Sequence, residues 1–433
     1  MLDILLILLA PFIGVLVGLL PAMGAFFTII MLYPVVSEMS PLALIIFYAV
    51  LINARDFSGS VSALNFGLLG ETTSLPVLQE RQLIIDSNGQ KTALRNTMIG
   101  SMIGMFMGLI FLFACFYLVQ SYTFLLRTDI MAVLVVVTIL FLLFWDKNKW
   151  YLNILAGAGG YFFAFVGFDT LLNKEYFTFG NVYLAGGIPA IPLILGIYVV
   201  PIMLDMYRQT KPDVLKVTSN AEIHPINKSV LLRSSLVGSV CGFVPYIGSL
   251  LSSNLSYLLE KKIHVKQNIS HALNRIVASE TANNASQVTV LIPFIFLGIA
   301  LQPSELLVLD IIEDKGWAVG YDTAVEAVYS LSLLLPIGCL VSAFLCYNVI
   351  DAILKFFYKH YKIILATISI AMFCNIVYLG YTSNQSLYYV CVFFVSLFFG
   401  ILLREKINLM PFIMCFLLQN QFHETLTTLM HLK

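Results

Sequence analysis

Residues 14–24 read GVLVGLLPAMG, and residues 238–248 read GSVCGFVPYIG. Both stretches follow the pattern G-x3-G-x2-P-x2-G, and they lie 224 positions apart. The same separation pairs Asp56 with Glu280. Small residues four positions apart are common in packed membrane helices, but that preference does not account for the shared proline or the paired acids. The sequence therefore predicts an internal repeat.

The composition around this repeat is typical of a membrane protein. Of the 433 residues, 59% are apolar and only 11% are charged, and the mean hydropathy is +0.90. Soluble domains carry about 25% charged residues, so this chain has too few charges to cover a soluble particle. Disorder is excluded because it needs low hydrophobicity and high net charge. We expect an all-α polytopic membrane protein with roughly 10–12 transmembrane segments.

The apolar segments are of two kinds. Some are uninterrupted, whereas four are broken by Gly, Pro, Asn, Ser or charged residues. The uninterrupted segments are 97–119, 129–145, 152–168, 182–204, 323–350, 363–381, 386–402 and a shorter one at 407–419; the interrupted segments are 2–35, 41–70, 229–258 and 276–301.

The distribution of positive charge predicts the orientation, because cytoplasmic loops carry an excess of Lys and Arg. Segment 229–258 has basic flanks on both sides, so it must return to the side it came from. Segment 2–35 has no basic flank and would enter from outside, which puts the N-terminus outside. The two halves then have opposite topologies: a first inverted repeat at 1–210, a cytoplasmic linker at 211–228 and a second repeat at 229–433. The loops assigned to the cytoplasm are 71–96, 146–150, 205–233, 259–275, 353–362 and 403–407.

Inverted repeats with broken or re-entrant helices are typical of secondary transporters, which bind substrate near the membrane midplane. Free N–H groups at a helix break attract anions, and free carbonyls suit a cation such as sodium. We place such breaks among the polar residues of the interrupted segments. The candidate substrate contacts are Arg55, Ser58, Gly59, Ser60, Pro21, Gly24, Pro245 and Gly248; the candidate ion ligands are Asn283, Asn284, Ser60, Thr281 and Glu280; the candidate break-forming residues are Gly18, Gly242, Gly70, Glu71 and Asp56.

Charged residues at this depth have two interpretations. An ionisable side chain in a membrane costs about 2.5–3.5 kcal/mol on insertion scales, so Arg55 is either a clamp for an anionic substrate or a structural partner of Asp56 or Glu280. In the first case Asp56 or Glu280 would serve the coupling ion or position a helix. The acids from Glu305 to Asp314 are expected to form a solvated outer face.

Other classes of function have little support. The seven cysteines lie in apolar runs without metal-ligand spacing, which indicates buried hydrophobic residues. We find no nucleophile triad, phosphate loop or zinc motif, so we expect neither an enzyme nor a bound cofactor, apart from sodium as a coupling ion. No basic block with interleaved aromatic residues indicates nucleic-acid binding.

Several motifs resemble the large membrane subunit of tripartite tricarboxylate transporters, the TctA-like permeases. Residues 18–24 and 242–248 are similar to the family's G-x-L-P-G-x-G, and Ser58-Gly59-Ser60 to its G-G-S. Residues 279–285, SETANNA, are very close to its P-E-A-A-N-N-A. The chain departs from the family pattern at several positions. Ala22 and Tyr246 replace the second glycine of the motif in its two copies. Leu69 replaces a proline, Ala300-Leu301 replaces Pro-Gly, and Arg55-Asp56 replaces small or uncharged residues.

The resemblance implies a sodium-coupled importer of small di- or tricarboxylates in a bacterial-type cytoplasmic (inner) membrane. It also implies two partners, a small TctB-like membrane subunit and a periplasmic TctC-like substrate-binding protein. Two alternatives stay open: a diverged membrane subunit that no longer transports, and a standalone transporter of another small anionic solute.

Overall fold

In this computed structural model, the structure describes residues 2–19, 24–66, 72–121, 150–169, 174–208, 225–263, 268–317, 321–404 and 406–419, with single residues at 136, 140, 143 and 319. Three predicted site residues, Pro21, Gly70 and Glu71, lie outside these residues. So does most of the predicted span at 129–145.

The described part of the chain is almost entirely helical, and the protein is an all-α polytopic membrane protein. Within it, five helices are long and apolar enough to cross a membrane. Four of them confirm uninterrupted segments predicted from the sequence, and the fifth falls in an interrupted one. The five are Pro41–Asn65, Gln90–Leu118, Thr323–Val349, Lys362–Thr382 and Ser386–Leu403.

The chain forms two compact units. The first comprises Met1–Ile29, Val35–Leu126 and Thr210–Lys359. It contains ten helices of the described residues, and helix α13 lies among α4, α5, α6, α11 and α12. These helices are α1 (Leu2–Gly18), α4 (Pro41–Phe66), α5 (Leu75–Asp86), α6 (Gln90–Ser121), α11 (Lys228–Cys241), α12 (Gly248–Ile263), α13 (Ile269–Thr289), α14 (Leu291–Leu297), α15 (Pro303–Asp314) and α16 (Tyr321–Phe344), with a 3-10 turn at Thr72–Ser74 and a π turn at Leu345–Val349.

The second unit comprises Ile30–Pro34, Arg127–Gln209 and His360–Lys433. Its two short strands pair antiparallel, with Phe168 opposite Glu175. The helices α2 (Ala25–Met31), α3 (Tyr33–Val36) and α17 (Ile350–Thr382) lie at the points where the chain passes between the units. The elements within the second unit are α7 (Trp150–Ala164), β1 (Gly167–Asp169), β2 (Lys174–Tyr176), α8 (Val182–Ala185), α9 (Ala190–Ile194), a π turn at Leu195–Val199, α10 (Val200–Arg208), α18 (Ser386–Leu403) and α19 (Met410–Leu417).

Both predicted repeats divide between the units in the same order. Each repeat contributes its first part to the first unit and its last part to the second. This division is what a duplicated chain would give, but the inverted relation of the two repeats stays a prediction.

One of the predicted helix breaks is found. Helix α11 ends at Cys241 and α12 begins at Gly248, so residues 242–247 interrupt segment 229–258 around Pro245. In the first repeat, helix α1 ends at Gly18 and α2 begins at Ala25, and residues 20–23 at the matching position lie outside the described residues.

The breaks placed beside the polar residues of segments 41–70 and 276–301 are wrong. Asp56 lies inside the continuous helix α4, and Glu280 lies inside α13. Helix α13 ends at Thr289, and the next non-helical backbone begins at Gly298, which adopts the left-handed conformation with φ 64°. Polar side chains did not stop these helices because their hydroxyl and amide groups bond back to carbonyls one turn earlier. Such bonds include Ser58 to Arg55, Ser60 to Phe57, Asn284 to Glu280 and Ser286 to Asn283.

The prediction of a solvated acidic outer face is also only partly correct. Glu313 and Asp314 are exposed, but Glu305 is completely buried. Its carboxylate accepts the backbone N–H groups of Leu301 (2.7 Å) and Gln302 (3.0 Å). Glu305 therefore satisfies backbone donors at the start of α15, and its charge is not solvated.

Candidate functional site

The predicted clamp residue Arg55 is paired with its neighbour in the middle of α4. The Arg55 Nη2 atom lies 3.0 Å from Asp56 Oδ1, and both side chains are buried. Of the two predicted partners for Arg55, the ion pair thus uses Asp56. Gly24 lies beside the same guanidinium, since a Cβ added at Gly24 would be 3.6 Å from Arg55 Nη1.

Helix α13 supplies the second wall of this site. The Asn283 Nδ2 group donates to Asp56 Oδ2 (3.3 Å) and to Thr73 Oγ1 (3.3 Å). The Gln287 side chain, one turn further along α13, also hydrogen bonds to Asp56. One amide therefore connects α13 to both α4 and the 3-10 turn that precedes α5.

Serine side chains of helix α12 form hydrogen bonds to residues of the site. The Ser253 hydroxyl donates to the Thr73 carbonyl oxygen and shares a hydrogen bond with Ser279 on α13 at 2.6 Å. One residue earlier, the Ser252 hydroxyl lies 3.1 Å from that of Ser286. Ser253 could not be identified from local patterns, because its role depends on contacts between helices distant in sequence.

Several oxygen atoms on α13 are buried and receive no hydrogen bond from the residues that the structure describes. They are both carboxylate oxygens of Glu280, the Oγ1 of Thr281 and the Oδ1 atoms of Asn283 and Asn284. Ser60 of α4 lies beside the Glu280 carboxylate, while its hydroxyl donates to the Phe57 carbonyl oxygen at 3.1 Å.

A buried acceptor that receives no hydrogen bond is costly, at about 1–3 kcal/mol. A hard cation such as sodium would satisfy several of these oxygens together, because carboxylate, amide and hydroxyl oxygens are the ligands that hard cations prefer. The predicted ion ligands therefore have the right chemistry, although they lie on a continuous helix and not at a break. Within the described part of the chain, no group of three or more His, Cys, Asp and Glu side chains is arranged to hold a metal ion.

Glycines let the neighbouring helices approach α13 closely. A Cβ added at Gly104 would collide with the Thr281 carbonyl oxygen, and one added at Gly238 would collide with that of Ala282. Gly104 belongs to the stripe Gly100, Gly104 and Gly108 on α6, whose small-xxx-small spacing is visible in the sequence and was overlooked. In the first repeat, Gly18 of α1 lies in the same way against Arg55 and Ser58 of α4.

The predicted contacts of the second break have a structural explanation. Gly248 packs against the Cys241 carbonyl oxygen, and Tyr246 adopts a left-handed conformation with φ 66°. The Tyr246 N–H group donates to the Leu301 carbonyl oxygen at 2.8 Å. The break at 242–247 thus contacts the non-helical residues after Gly298, and Pro245 and Gly248 shape this junction.

A second buried ion pair lies one to two turns from the site. Arg275 binds Glu80 of α5 in a bidentate fashion, with Nε–Oε1 and Nη2–Oε2 distances of 2.7 Å. The Tyr257 hydroxyl donates to Glu80 Oε1 at 2.9 Å. Arg275 therefore does not lie in a loop as predicted: it lies within α13, where it joins α5, α12 and α13.

Comparison with known proteins identifies the family. Residues 4–414 match the profile of the tripartite tricarboxylate transporter TctA family. The chain belongs to this family. The family is one of transporters and not of enzymes, and the long apolar helices among the described residues agree with an integral membrane protein.

One relative is a protein of Agrobacterium vitis described as "Uncharacterized 52.8 kDa protein in TAR-I ttuC' 3'region". It is 25% identical over 321 residues, which cover 71% of this TctA-family chain and 63% of the relative. The chain thus spans less than two thirds of that relative's length. No solved structure matches.

The family pattern explains why Tyr246 matters in this TctA-family chain. It occupies the position of the second glycine in G-x-L-P-G-x-G, and its φ of 66° is a conformation that glycine adopts without strain. Tyr246 thus adopts a backbone conformation that favours glycine, although it carries a side chain.

Proposed function

We propose that this chain is the large membrane subunit of a binding-protein-dependent transporter that imports small di- or tricarboxylates together with sodium. The observation that carries the proposal is the group of buried oxygens without hydrogen bonds on α13. They lie next to the buried ion pair of Arg55 and Asp56 on α4. Together they offer cation ligands and a permanent positive charge in one buried polar region.

The sodium ligands would be the Oδ1 atoms of Asn283 and Asn284, with Glu280, Thr281 and Ser60 at the same face of α13. Each of the first four residues has a buried oxygen without a hydrogen bond. A bound cation would also compensate the negative charge of a carboxylate at this depth, where an isolated charge is costly. The transport of the carboxylate would then be coupled to that of sodium, because each bound ion would stabilise the other.

Arg55 would bind the carboxylate substrate. Its guanidinium is buried beside Gly24 and is already paired with Asp56, so a substrate carboxylate would exchange with that partner. Ser58, Gly59 and Ser60 lie on the same stretch of α4, and the hydroxyls of Ser58 and Ser60 donate to backbone carbonyl oxygens of the same helix.

The remaining parts of the proposal rest on the family. Its tripartite name implies two further subunits, which we take to be a small membrane subunit and a periplasmic substrate-binding protein. Import then requires a cytoplasmic (inner) membrane, and the positive charges place the N-terminus outside. Alternating access would move one body with broken helices against the other, as in transporters built from inverted repeats.

The test is uptake by proteoliposomes that contain the chain and its two partner subunits. We expect uptake of a radiolabelled di- or tricarboxylate under an inward sodium gradient, and only background uptake when potassium replaces sodium. Equal uptake with both cations would exclude sodium coupling. The absence of uptake of every carboxylate tested, with all subunits present, would contradict the importer itself.

The departures from the family motif favour a second candidate, either a non-transporting subunit or a standalone transporter of another small anion. Tyr246 fills space that glycine would leave beside the backbone, and Arg55-Asp56 adds charge where the family pattern has small or uncharged residues. Thermal unfolding of the isolated chain in detergent distinguishes these alternatives, since any ligand that binds the folded state raises stability. Stabilisation by a different anion, independent of partners and of sodium, would favour the standalone transporter.

A further inference from the structure

The second unit contains an apolar groove. The residues that line it are distant in sequence from the charged residues of the candidate site. It lies between α7, α18 and the residues around α19 and has a volume of about 600 Å³. Apart from Ser396, which donates its hydroxyl to the Val392 carbonyl oxygen at 2.6 Å, and Tyr388, its lining consists of apolar side chains and glycine. The lining includes Ala156, Phe163, Val392, Phe399 and Phe412.

One end of the groove offers no free polar group. The Tyr388 hydroxyl at that end donates to the Gly187 carbonyl oxygen at 3.0 Å. An occupant of this part of the groove would therefore meet only apolar surface, and water would find no partners there.

A smaller cavity of about 250 Å³ lies next to the groove. The two cavities are neighbours, because Ile197, Ile407 and Leu409 line both. The lining of the smaller cavity includes four polar side chains, namely Tyr198, Asp205, Arg404 and Asn408.

Arg404 presents an unsatisfied donor at this junction. Its Nη2 atom lies 2.7 Å from Asp205 Oδ1, and its Nη1 atom donates to the Pro201 carbonyl oxygen. The Nε–H group is buried and has no hydrogen-bond acceptor. Within the described residues that line the smaller cavity, Asp205 is the one carboxylate, and it takes up only the Nη2 side of the guanidinium.

We propose that the second unit binds an anionic phospholipid, with an acyl chain in the apolar groove and the phosphate at Arg404. The chemistry required is a long apolar chain that ends in an anionic group with several oxygen acceptors. Phosphate oxygens are good acceptors for guanidinium donors, and basic pockets between membrane helices on the cytoplasmic side bind such head groups. The 403–407 loop is one of those that the charge distribution assigns to the cytoplasm.

The size of the groove argues against a helix of a partner subunit as the occupant. A membrane-spanning helix about 30 Å long and 10 Å wide occupies roughly 2,400 Å³, several times the volume of this groove. The groove instead lies within the range of about 300–1,000 Å³ that small-molecule pockets occupy. An acyl chain is narrow enough to fill it completely.

The groove is tested with a pair of substitutions on one helix. Ala156 lines the groove, whereas Ala158 is exposed and does not, so Ala156→Phe should fill the groove and Ala158→Phe should not. The full-length protein is purified, delipidated with detergent and analysed by native mass spectrometry. Added dioleoylphosphatidylglycerol should bind to the unaltered chain and to Ala158→Phe, with roughly tenfold weaker binding to Ala156→Phe, a difference of about 1.4 kcal/mol.

The head-group contact is tested by comparing phosphatidylglycerol with phosphatidylcholine. Arg404→Gln should remove the preference for the anionic lipid. Because Arg404 also holds Asp205, Asp205→Asn provides a second variant that keeps the arginine and removes its competing carboxylate, and we expect it to strengthen the preference. Equal retention of both lipids, an unchanged preference in both variants, or binding of detergent alone would overturn the proposal. So would equal lipid binding by the two alanine variants.

Discussion

Asn283 of α13 donates its amide N–H to a carboxylate oxygen of Asp56 on α4, at 3.3 Å and across 227 positions of sequence. The same amide group donates to Thr73 at 3.3 Å. The two predicted repeats thus meet at one side chain, and Asp56 is held at once by Arg55 from its own helix and by Asn283 from the other repeat. Substitutions around this contact should separate structural roles from binding roles.

The first prediction concerns Arg55. Replacing it by alanine leaves Asp56 buried without its cationic partner, so Arg55→Ala should reduce both thermal stability and carboxylate binding. Arg55→Lys keeps a positive charge and should retain part of the binding, although lysine lacks the planar fork of arginine. The measurement is the carboxylate-dependent shift in unfolding temperature of the purified protein.

The double variant Arg55→Ala/Asp56→Asn serves as the control for folding. It removes both charges, so it should recover much of the lost stability but none of the carboxylate-dependent shift. A double variant that still responds to carboxylates would show that Arg55 is a structural partner only.

The second prediction concerns the sodium ligands. Asn284→Ala removes a buried oxygen that has no hydrogen-bond donor, and we expect the sodium concentration for half-maximal stabilisation to rise roughly tenfold, equivalent to about 1.4 kcal/mol. Asn254→Ala is the matched control. Both asparagine amides donate to the carbonyl four residues earlier, but Asn254 belongs to α12 and is only partly buried. An equal response of both variants, or none, would remove Asn284 from the ion site.

The third prediction concerns the buried pair of Glu80 and Arg275. Glu80→Gln leaves a buried guanidinium without a counter-charge, which typically costs about 3–5 kcal/mol, and should lower the unfolding temperature strongly. Tyr257→Phe removes one hydrogen bond to the same carboxylate and should cost only about 1 kcal/mol. Thermal unfolding in detergent measures both. Similar small effects of the two variants would show that the ion pair contributes little to the folded state.

The fourth prediction concerns helix packing. A side chain at Gly104 would collide with the Thr281 backbone, so Gly104→Ala should destabilise the protein by several degrees because the helices must move apart. Gly159→Ala is the control, since its Cβ would lie 3.6 Å from Phe412 in ordinary contact. Alanine favours helix over glycine by about 1 kcal/mol, and this control should therefore be neutral or stabilising. The unfolding temperatures of both variants check the difference.

Local patterns in the sequence predicted the parts of the fold that depend on local chemistry. The long apolar segments are helices because backbone groups in a membrane must be satisfied within the segment. The interruption at 242–247 was visible because Gly242, Pro245 and Gly248 are poor helix formers. The predicted polar residues Arg55, Asp56 and Asn283 do come together in one buried region.

The same local patterns gave wrong predictions of helix breaks where polar residues lie inside a helix. Serine and asparagine favour turns in water, but in α4 and α13 they bond to carbonyls of the preceding turn, and the helix continues. Glu305 was predicted to lie on a solvated face, and Arg275 was predicted to lie in a loop. Glu305 instead accepts backbone N–H groups, and Arg275 finds Glu80 on another helix.

The sequence by itself determined the membrane class, most of the long spans, the family and the residues that carry the buried polar chemistry. These follow from hydrophobicity, small-residue spacing and motifs, all of which are local properties of the chain. Only the tertiary structure decided which partners these residues have: Asp56 with Asn283, Glu80 with Arg275, and Gly104 with Thr281. Such pairings depend on which helices pack together, and a buried charge or glycine acquires its role only from the atoms that face it across that packing.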